Sequence, residues 1–188
     1  DGLVTRWRKN GQKISEINYK NGKQDGLSTL WDKNGQKISE INFMNGKEEG
    51  LTTEWYRNGQ KRIEGNVKDE NFDGLMTGWY ENGRKKWETT VRQGKWHGTF
   101  TEWDPAGNKK EERIFDKGQA NGPWTKWYDN GVREEGFYKN GKKHGLWMHF
   151  YPLPWWRGYY NMDKKCGEWR EQGWSKDDYR TVTYDPCP

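Results

Sequence analysis

The sequence predicts an all-β fold: an elongated, single-layer antiparallel β-meander of tandem hairpins, each about 24 residues long, with a C-terminal cap. Three observations predict it. Glycines recur at Gly2, Gly26, Gly50, Gly74, Gly98 and Gly122, 24 residues apart, and Gly145 follows at 23. A tryptophan stands five residues after each of the first six, at Trp7, Trp31, Trp55, Trp79, Trp103 and Trp127, and Phe150 takes that place in the seventh unit. Turn dipeptides alternate every 11 to 13 residues with no amphipathic helical segment between them. A period of this length marks a supersecondary unit that buries its apolar side only by stacking on its neighbours.

The third unit, from Gly50 to Asp73, shows how each element arises. Leu51-Thr52-Thr53-Glu54-Trp55-Tyr56 alternates with period two, which sets Leu51, Thr53 and Trp55 on one face and Thr52, Glu54 and Tyr56 on the other. Asn58-Gly59 follows and predicts a two-residue type I′ turn, with positive φ at both positions. A second extended run from Lys61 to Val67 then returns, with Ile63, Gly65 and Val67 on one face and Arg62, Glu64 and Asn66 on the other. A further turn precedes Gly74, so each glycine is expected to open a hairpin. Asn10-Gly11, Asn34-Gly35, Asn82-Gly83 and Asn130-Gly131 repeat the first turn, and Asn21-Gly22, Asn45-Gly46 and Asn140-Gly141 the second. About fourteen strands at ~4.8 Å form a twisted ribbon on the order of 65 Å long.

Stacking turns equivalent residues into columns. The six tryptophans are expected to form the spine of the core, with Ile17, Ile41, Val67, Val91 and Phe115 between them. On that reading Trp79→Ala costs ~3–5 kcal/mol. The threonines Thr5, Thr29, Thr53, Thr77, Thr101 and Thr125 share the tryptophan face, and a glutamate column including Glu16, Glu40, Glu64 and Glu88 is placed on the opposite one.

Composition agrees with a thin fold. Leu, Ile, Val and Phe make up about 13% of the 188 residues, below the ~20% under which chains tend to disorder. Fourteen Trp and ten Tyr supply the missing apolar area. The 33 basic and 28 acidic side chains alternate in sign, so the net charge of +5 reads as a solvated surface and a nucleic-acid partner is not expected. No run of 18 apolar residues is present to form a spanning helix. Asp1 lies one residue before a repeat glycine, without a start methionine or a leader. Either a leader has been removed or the chain is cut at a repeat boundary.

The unit reads G-L-x-T-x-W-[YDR]-x-N-G-x-K-x-x-E-x-x-[YF]-x-N-G-K-x-x. It resembles the MORN repeat family, most closely the bacterial variant found in YwqK-like antitoxin proteins, from Gly2 to about Tyr151. The resemblance implies a single-layer hairpin array that binds without chemistry, with an antitoxin or immunity role as its most specific form. It supplies no catalytic residues.

Two segments follow: tandem repeats over 1–151, and over 152–188 a degenerate repeat and cap. Pro152-Leu153-Pro154-Trp155-Trp156 interrupts the pattern because prolines remove ladder donors. The repeat resumes at Tyr160, with Cys166 in the place of His144. Cys166 and Cys187 are the only cysteines. A disulfide between them is preferred to two unrelated buried thiols, and it points to an extracellular, periplasmic or cell-surface location, with a cytoplasmic one as the alternative.

No catalytic, cofactor or metal site is expected. His97 and His144 stand where other units carry Asp25, Glu49 and Asp73 and read as polar turn residues, and the carboxylates recur in every unit without an environment of their own. The chain is therefore expected to be a non-enzymatic scaffold that binds a protein partner. The alternative is a module for the cell envelope or carbohydrate, with Tyr56, Tyr80, Trp124, Tyr128, Trp147, Trp155 and Trp156 as an exposed platform for sugar rings. A membrane surface is a third option.

Overall fold

The structure, a computed structural model, describes residues 1–150, 156–172 and 178–188. Among them are sixteen strands and no helix. The predicted boundary at 151/152 lies outside the described residues. The chain divides into two units, residues 1–95 with 104–107 and residues 96–103 with 108–188.

The first unit carries β1 (Gly2–Trp7), β2 (Lys13–Lys20), β3 (Lys23–Trp31), β4 (Lys37–Met44), β5 (Lys47–Trp55), β6 (Lys61–Lys68), β7 (Asn71–Trp79) and β8 (Lys85–Arg92). The second carries β9 (Lys95–Trp103), β10 (Lys109–Asp116), β11 (Gln119–Trp127), β12 (Arg133–Lys139), β13 (Lys142–Phe150), β14 (Trp156–Asn161), β15 (Lys164–Gln172) and β16 (Tyr179–Thr183). Within each unit every strand pairs antiparallel with its sequence neighbours, so both are meanders, as the turn spacing predicts.

The first turn departs from the type I′ expectation. Asn58-Gly59 is not a type I′ turn. Only Gly59 has positive φ (85°), in a three-residue loop closed by Tyr56 N–H donating to Gln60 O at 2.8 Å. The Asn58 Oδ1 accepts from Gln60 N at 3.0 Å, which fixes that loop, and the glycine takes the left-handed place that follows a type I turn. Positive φ at both residues occurs instead at the second turns, as in Asn21-Gly22 (50° and 72°). Asp69-Glu70 makes the same turn without glycine (50° and 62°). There Glu49 Oε2 accepts the Asp69 N–H at 3.1 Å. Asp25 and Asp73 bond to the turns at Asn45 and Gln93 in the same way, so the acids before Gly26, Gly50 and Gly74 secure the next hairpin's turn.

The repeat glycines open no hairpin; they lie inside strands. Gly26 has φ of 100°, at a bulge where the register passes from Ile17↔Ser28 to Tyr19↔Gln24. Only glycine takes that conformation at no steric cost. Asn18 faces the bulge and donates through Nδ2 to Leu27 O at 2.9 Å, and Asn42 does the same to Leu51 O at 2.8 Å.

Register decides the faces. Thr53 opposes Glu64, and its Oγ1 donates to Glu64 Oε2 at 3.2 Å. Directly opposed side chains of an antiparallel pair share a face, so the glutamate column lies with the threonines and tryptophans, not opposite them. The same rule moves Ile17, Ile41 and Val67 off the tryptophan face. Each strand's alternation is visible in its sequence, but matching two strands one residue out of step exchanges their faces.

The buried spine is therefore a different column, two residues after each repeat glycine. In the first unit the column is Val4, Ser28, Thr52 and Met76, opposed by Ile17, Ile41, Gly65 and Thr89; Ser28 and Thr52 are buried, Met76 is half-buried and Val4 on β1 is exposed. In the second it is Phe100, Trp124, Trp147 and Trp169, opposed by Arg113, Gly136, Gly158 and Val182. Large rings meet glycines because nothing else fits. A Cβ on Gly136 would lie 2.3 Å from the Trp147 ring, and one on Gly158 would lie 2.1 Å from Trp169. Gly136→Ala is accordingly expected to lower stability by ~1–3 kcal/mol, since the ring must leave its seat. Denaturant unfolding together with near-ultraviolet circular dichroism measures this, and an unchanged midpoint would contradict the seating.

Candidate functional site

The six-tryptophan column stands on the polar face, where its rings are half-buried, except that Trp7 is 55% exposed. Five of the six rings, Trp7, Trp31, Trp55, Trp79 and Trp127, lie against a lysine ammonium. Lys13 Nζ lies 5.5 Å from the Trp7 ring and 5.4 Å from Trp31, so one ammonium bridges consecutive repeats. Lys37 covers Trp55 at 5.3 Å, Lys61 covers Trp79 at 5.6 Å and Lys109 covers Trp127 at 5.9 Å. The same lysines pair with the glutamate three residues on, as in Lys13–Glu16, Lys37–Glu40 and Lys61–Glu64, and Lys109–Glu112 closes at 2.6 Å. The column is a ladder of alternating rings and ammonium groups, each contact worth ~0.5–1 kcal/mol at such sites.

The proposed sugar platform divides. Trp124 (7% exposed) and Trp147 (0%) belong to the buried spine and cannot present a ring to a ligand. Trp147 is boxed by Trp124 at 4.9 Å, Tyr138 at 5.3 Å and Tyr160 at 5.8 Å, with Lys143 Nζ 4.1 Å from its ring. Its Nε1 donates to Phe137 O at 3.3 Å, and the Trp124 Nε1 donates to Glu111 Oε1 at 2.6 Å. Tyr56 is half-buried and donates its hydroxyl to Trp79 O at 2.8 Å, which ties one repeat to the next. Tyr80 is half-buried beneath Lys86, at 5.6 Å. Tyr128 is exposed, with Lys126 Nζ 4.9 Å from its ring. Trp156 is half-buried and stacks on His149 at 5.6 Å and Trp169 at 5.3 Å. Trp155 lies outside the described residues. Burial thus removes Trp124 and Trp147 from any such platform.

Glu134 acts on several groups of the second unit. It holds His149 Nδ1 at 2.9 Å, and its charge acts on three tyrosines. Burial holds the Tyr128, Tyr138 and Tyr160 hydroxyls above the ordinary tyrosine range, and Glu134 adds to this in each case, while Arg113 opposes it at Tyr138. A raised folded-state pKa means the folded chain keeps protons that the unfolded chain gives up. Its stabilising contribution is therefore complete below about pH 10 and is lost as pH rises through the folded values. Stability is expected to fall between about pH 9 and 11, and Tyr138→Phe with Tyr160→Phe should flatten that fall. Urea unfolding across the range measures it, and an unaltered slope in the double variant would contradict it.

Cys166 and Cys187 are joined, with Cα atoms 5.0 Å apart. Gly167 N–H donates to Asp185 O at 2.9 Å and Tyr184 N–H to Gly167 O at 3.0 Å, so the tail after β16 lies against the start of β15. His97 faces Asp116 at 3.3 Å.

Sequence reasoning missed three features: Phe100 and Trp169 as members of the spine, the lysines of the ladder, and the exposure of Phe137, Leu146 and Tyr159 on the polar face. The first was within reach, since Val4 to Trp169 is a column of the same repeat. Comparison with known families matches the MORN repeat variant at residues 1–21, 24–45, 48–69, 96–117 and 120–141, more than half of the chain. No curated protein matches it.

Proposed function

Because the chain belongs to the MORN repeat variant family, we propose that it is a non-catalytic scaffold that binds a protein partner. Repeats of this family mediate protein or membrane interactions. The observation that carries the reading is the division of labour between faces. One face carries the buried column, polar at Ser28 and Thr52 in the first unit and aromatic at Phe100, Trp124, Trp147 and Trp169 in the second, while the other carries repeating rows of rings, ion pairs and exposed aliphatics. A regular, rigid surface of this kind suits an extended protein contact.

Its most specific form is the antitoxin or immunity role of YwqK-like proteins, in which the partner is a toxin. The disulfide supports a place outside the reducing cytosol, at the cell surface, in the periplasm or beyond. The carbohydrate reading is weakened by the burial of Trp124 and Trp147 and by the lysines that cover the ladder rings.

Co-expression with the product of the neighbouring reading frame, followed by size-exclusion chromatography, tests the proposal. A stable complex that also abolishes the neighbour's toxicity is the expected result. Titrations with polysaccharides and anionic vesicles, read by tryptophan fluorescence, supply the contrary outcome: saturable binding to either, with no protein complex, would overturn it.

A further inference from the structure

The chain carries nine Asn-Gly pairs, in which the next backbone nitrogen attacks a side-chain amide most readily, since glycine puts no side chain in the way. The fold does not expose them equally. At the second turns Asn21, Asn45 and Asn140 have φ of 50°, 52° and 51°. In that left-handed conformation Cβ leans toward the residue's own carbonyl oxygen, so the glycine nitrogen lies on the far side, out of reach of the side chain. Asn121-Gly122 lies within β11, where Gly122 pairs with Tyr138 and the ladder holds the backbone.

The five first loops remain, at Asn10, Asn34, Asn58, Asn82 and Asn130. In each the glycine N–H donates to the carbonyl three residues back, at 2.9 to 3.2 Å, so the attacking nitrogen is similarly held throughout. The side chains differ. In four loops the Asn Oδ1 accepts the N–H two residues on: from Gln12 at 3.2 Å, Gln60 at 3.0 Å, Arg84 at 3.0 Å and Val132 at 3.3 Å. Asn58 and Asn82 are held twice, since Nδ2 donates to Glu81 O at 2.6 Å and to Pro105 O at 2.9 Å in the next repeat. The loop at Asn34 is built differently. Asp32 stands where the other four have Arg8, Tyr56, Tyr80 and Tyr128, and its Oδ1 accepts Asn34 N–H at 2.8 Å and Gln36 N–H at 3.0 Å. The carboxylate replaces the amide as the acceptor that fixes the loop. The exposed Asn34 side chain is left with no hydrogen-bond partner among the described residues.

We propose that Asn34 is a spontaneous deamidation site, selected from the nine by Asp32. The Gly35 nitrogen gives its proton to solvent and bonds to Asn34 Cγ, the Cγ–Nδ2 bond breaks, and Nδ2 takes a proton from solvent and leaves as ammonia. Water then opens the cyclic imide. Cleavage at Cγ gives aspartate, and cleavage at the main-chain carbonyl gives isoaspartate, whose backbone runs through the side chain. The net reaction consumes one water and releases one ammonia, with no oxidant or reductant. Either product sets a second carboxylate beside Asp32, and one negative charge added to +5 leaves +4. Isoaspartate also lengthens the loop that Asp32 N–H closes on Gln36 O at 2.9 Å, next to the Trp31↔Lys37 pair of the ladder. The inference is independent of the protein-binding reading.

Incubating the intact folded chain in mildly alkaline buffer and mapping its proteolytic peptides by mass spectrometry tests it. Asn34 is expected to convert at least about fivefold faster than Asn58 and Asn82, the factor that one retained hydrogen bond of ordinary strength imposes on the reactive rotamer. Asp32→Ala returns the Gln36 N–H to Asn34 and should slow conversion there by a similar factor, with circular dichroism checking that the variant folds. In denaturing urea the five loop sites should converge, because each is followed by glycine. Conversion at Asn58 or Asn82 as fast as at Asn34 in the folded chain would overturn the proposal. So would an unchanged rate in Asp32→Ala, or an Asn34 preference that survives unfolding and so belongs to the local sequence alone.

Discussion

Trp147→Ala is expected to lower the stability of the second unit by ~3–5 kcal/mol, the largest effect of any single truncation in the chain. The ring is fully buried among Trp124, Tyr138 and Tyr160 and fills the space above Gly136. Removing it opens a cavity walled by other rings, and a backbone glycine beneath cannot move in to close it. Trp79→Ala removes as many atoms from the half-buried ladder and is expected to cost only ~1–2 kcal/mol, from one cation–π contact and part of the ring's area. This revises the cost expected from sequence, which assigned the core to the ladder. Chemical denaturation of both variants, read separately in the two units by hydrogen exchange, measures the difference. Equal losses would refute it.

Breaking the Cys166–Cys187 bond is the second large effect. The cysteines are 21 residues apart, and a loop of that size is stabilised by ~3 kcal/mol in the chain-entropy model. The loss should be local. β16 pairs with β15 alone, over Glu168 to Gln172, so its remaining hold is a short ladder at a sheet margin. Cys187→Ser, or reduction of the native chain, is expected to accelerate amide exchange across residues 179–183 while leaving β1 to β7 unchanged. An unchanged rate at 179–183 would show that the ladder alone fixes the tail.

The period and the strand pattern were legible because both are local: alternation, turn dipeptides and a 24-residue beat need no knowledge of what faces what. The disulfide was legible from two cysteines in one short segment. Turn type was not, because Asn58-Gly59 and Asn21-Gly22 are the same dipeptide in loops of different length, and loop length is set where the strands stop pairing. The faces failed for a related reason. Glu64 and Val67 lie on one strand, three residues apart and on opposite faces, and only the pairing Thr53↔Glu64 shows which of them joins the tryptophans. A more conspicuous column also drew attention away from a quieter one. Six identical tryptophans form the ladder, whereas Val4, Ser28, Thr52, Met76, Phe100 and Trp124 share a position but no chemistry. Burial follows position on the pleat, not identity, and a variable column is what a spine of graded thickness requires. The exposure of Phe137 and Tyr159 escaped notice because it is defined by contrast: they stand where the first unit has Asn18, Asn42, Asn66 and Thr90.

The division into a packed spine and a lysine-bridged ladder is the central claim. Hydroxyl-radical footprinting of the intact folded chain, quantified for each tryptophan by mass spectrometry, tests it most directly. The expected order has Trp7 and Trp96 oxidised fastest, Trp31, Trp55, Trp79 and Trp127 at intermediate rates, and Trp124, Trp147 and Trp169 protected until unfolding. Protection of the Trp31 to Trp127 ladder with rapid oxidation of Trp147 and Trp169 would contradict it and return the core to the other face.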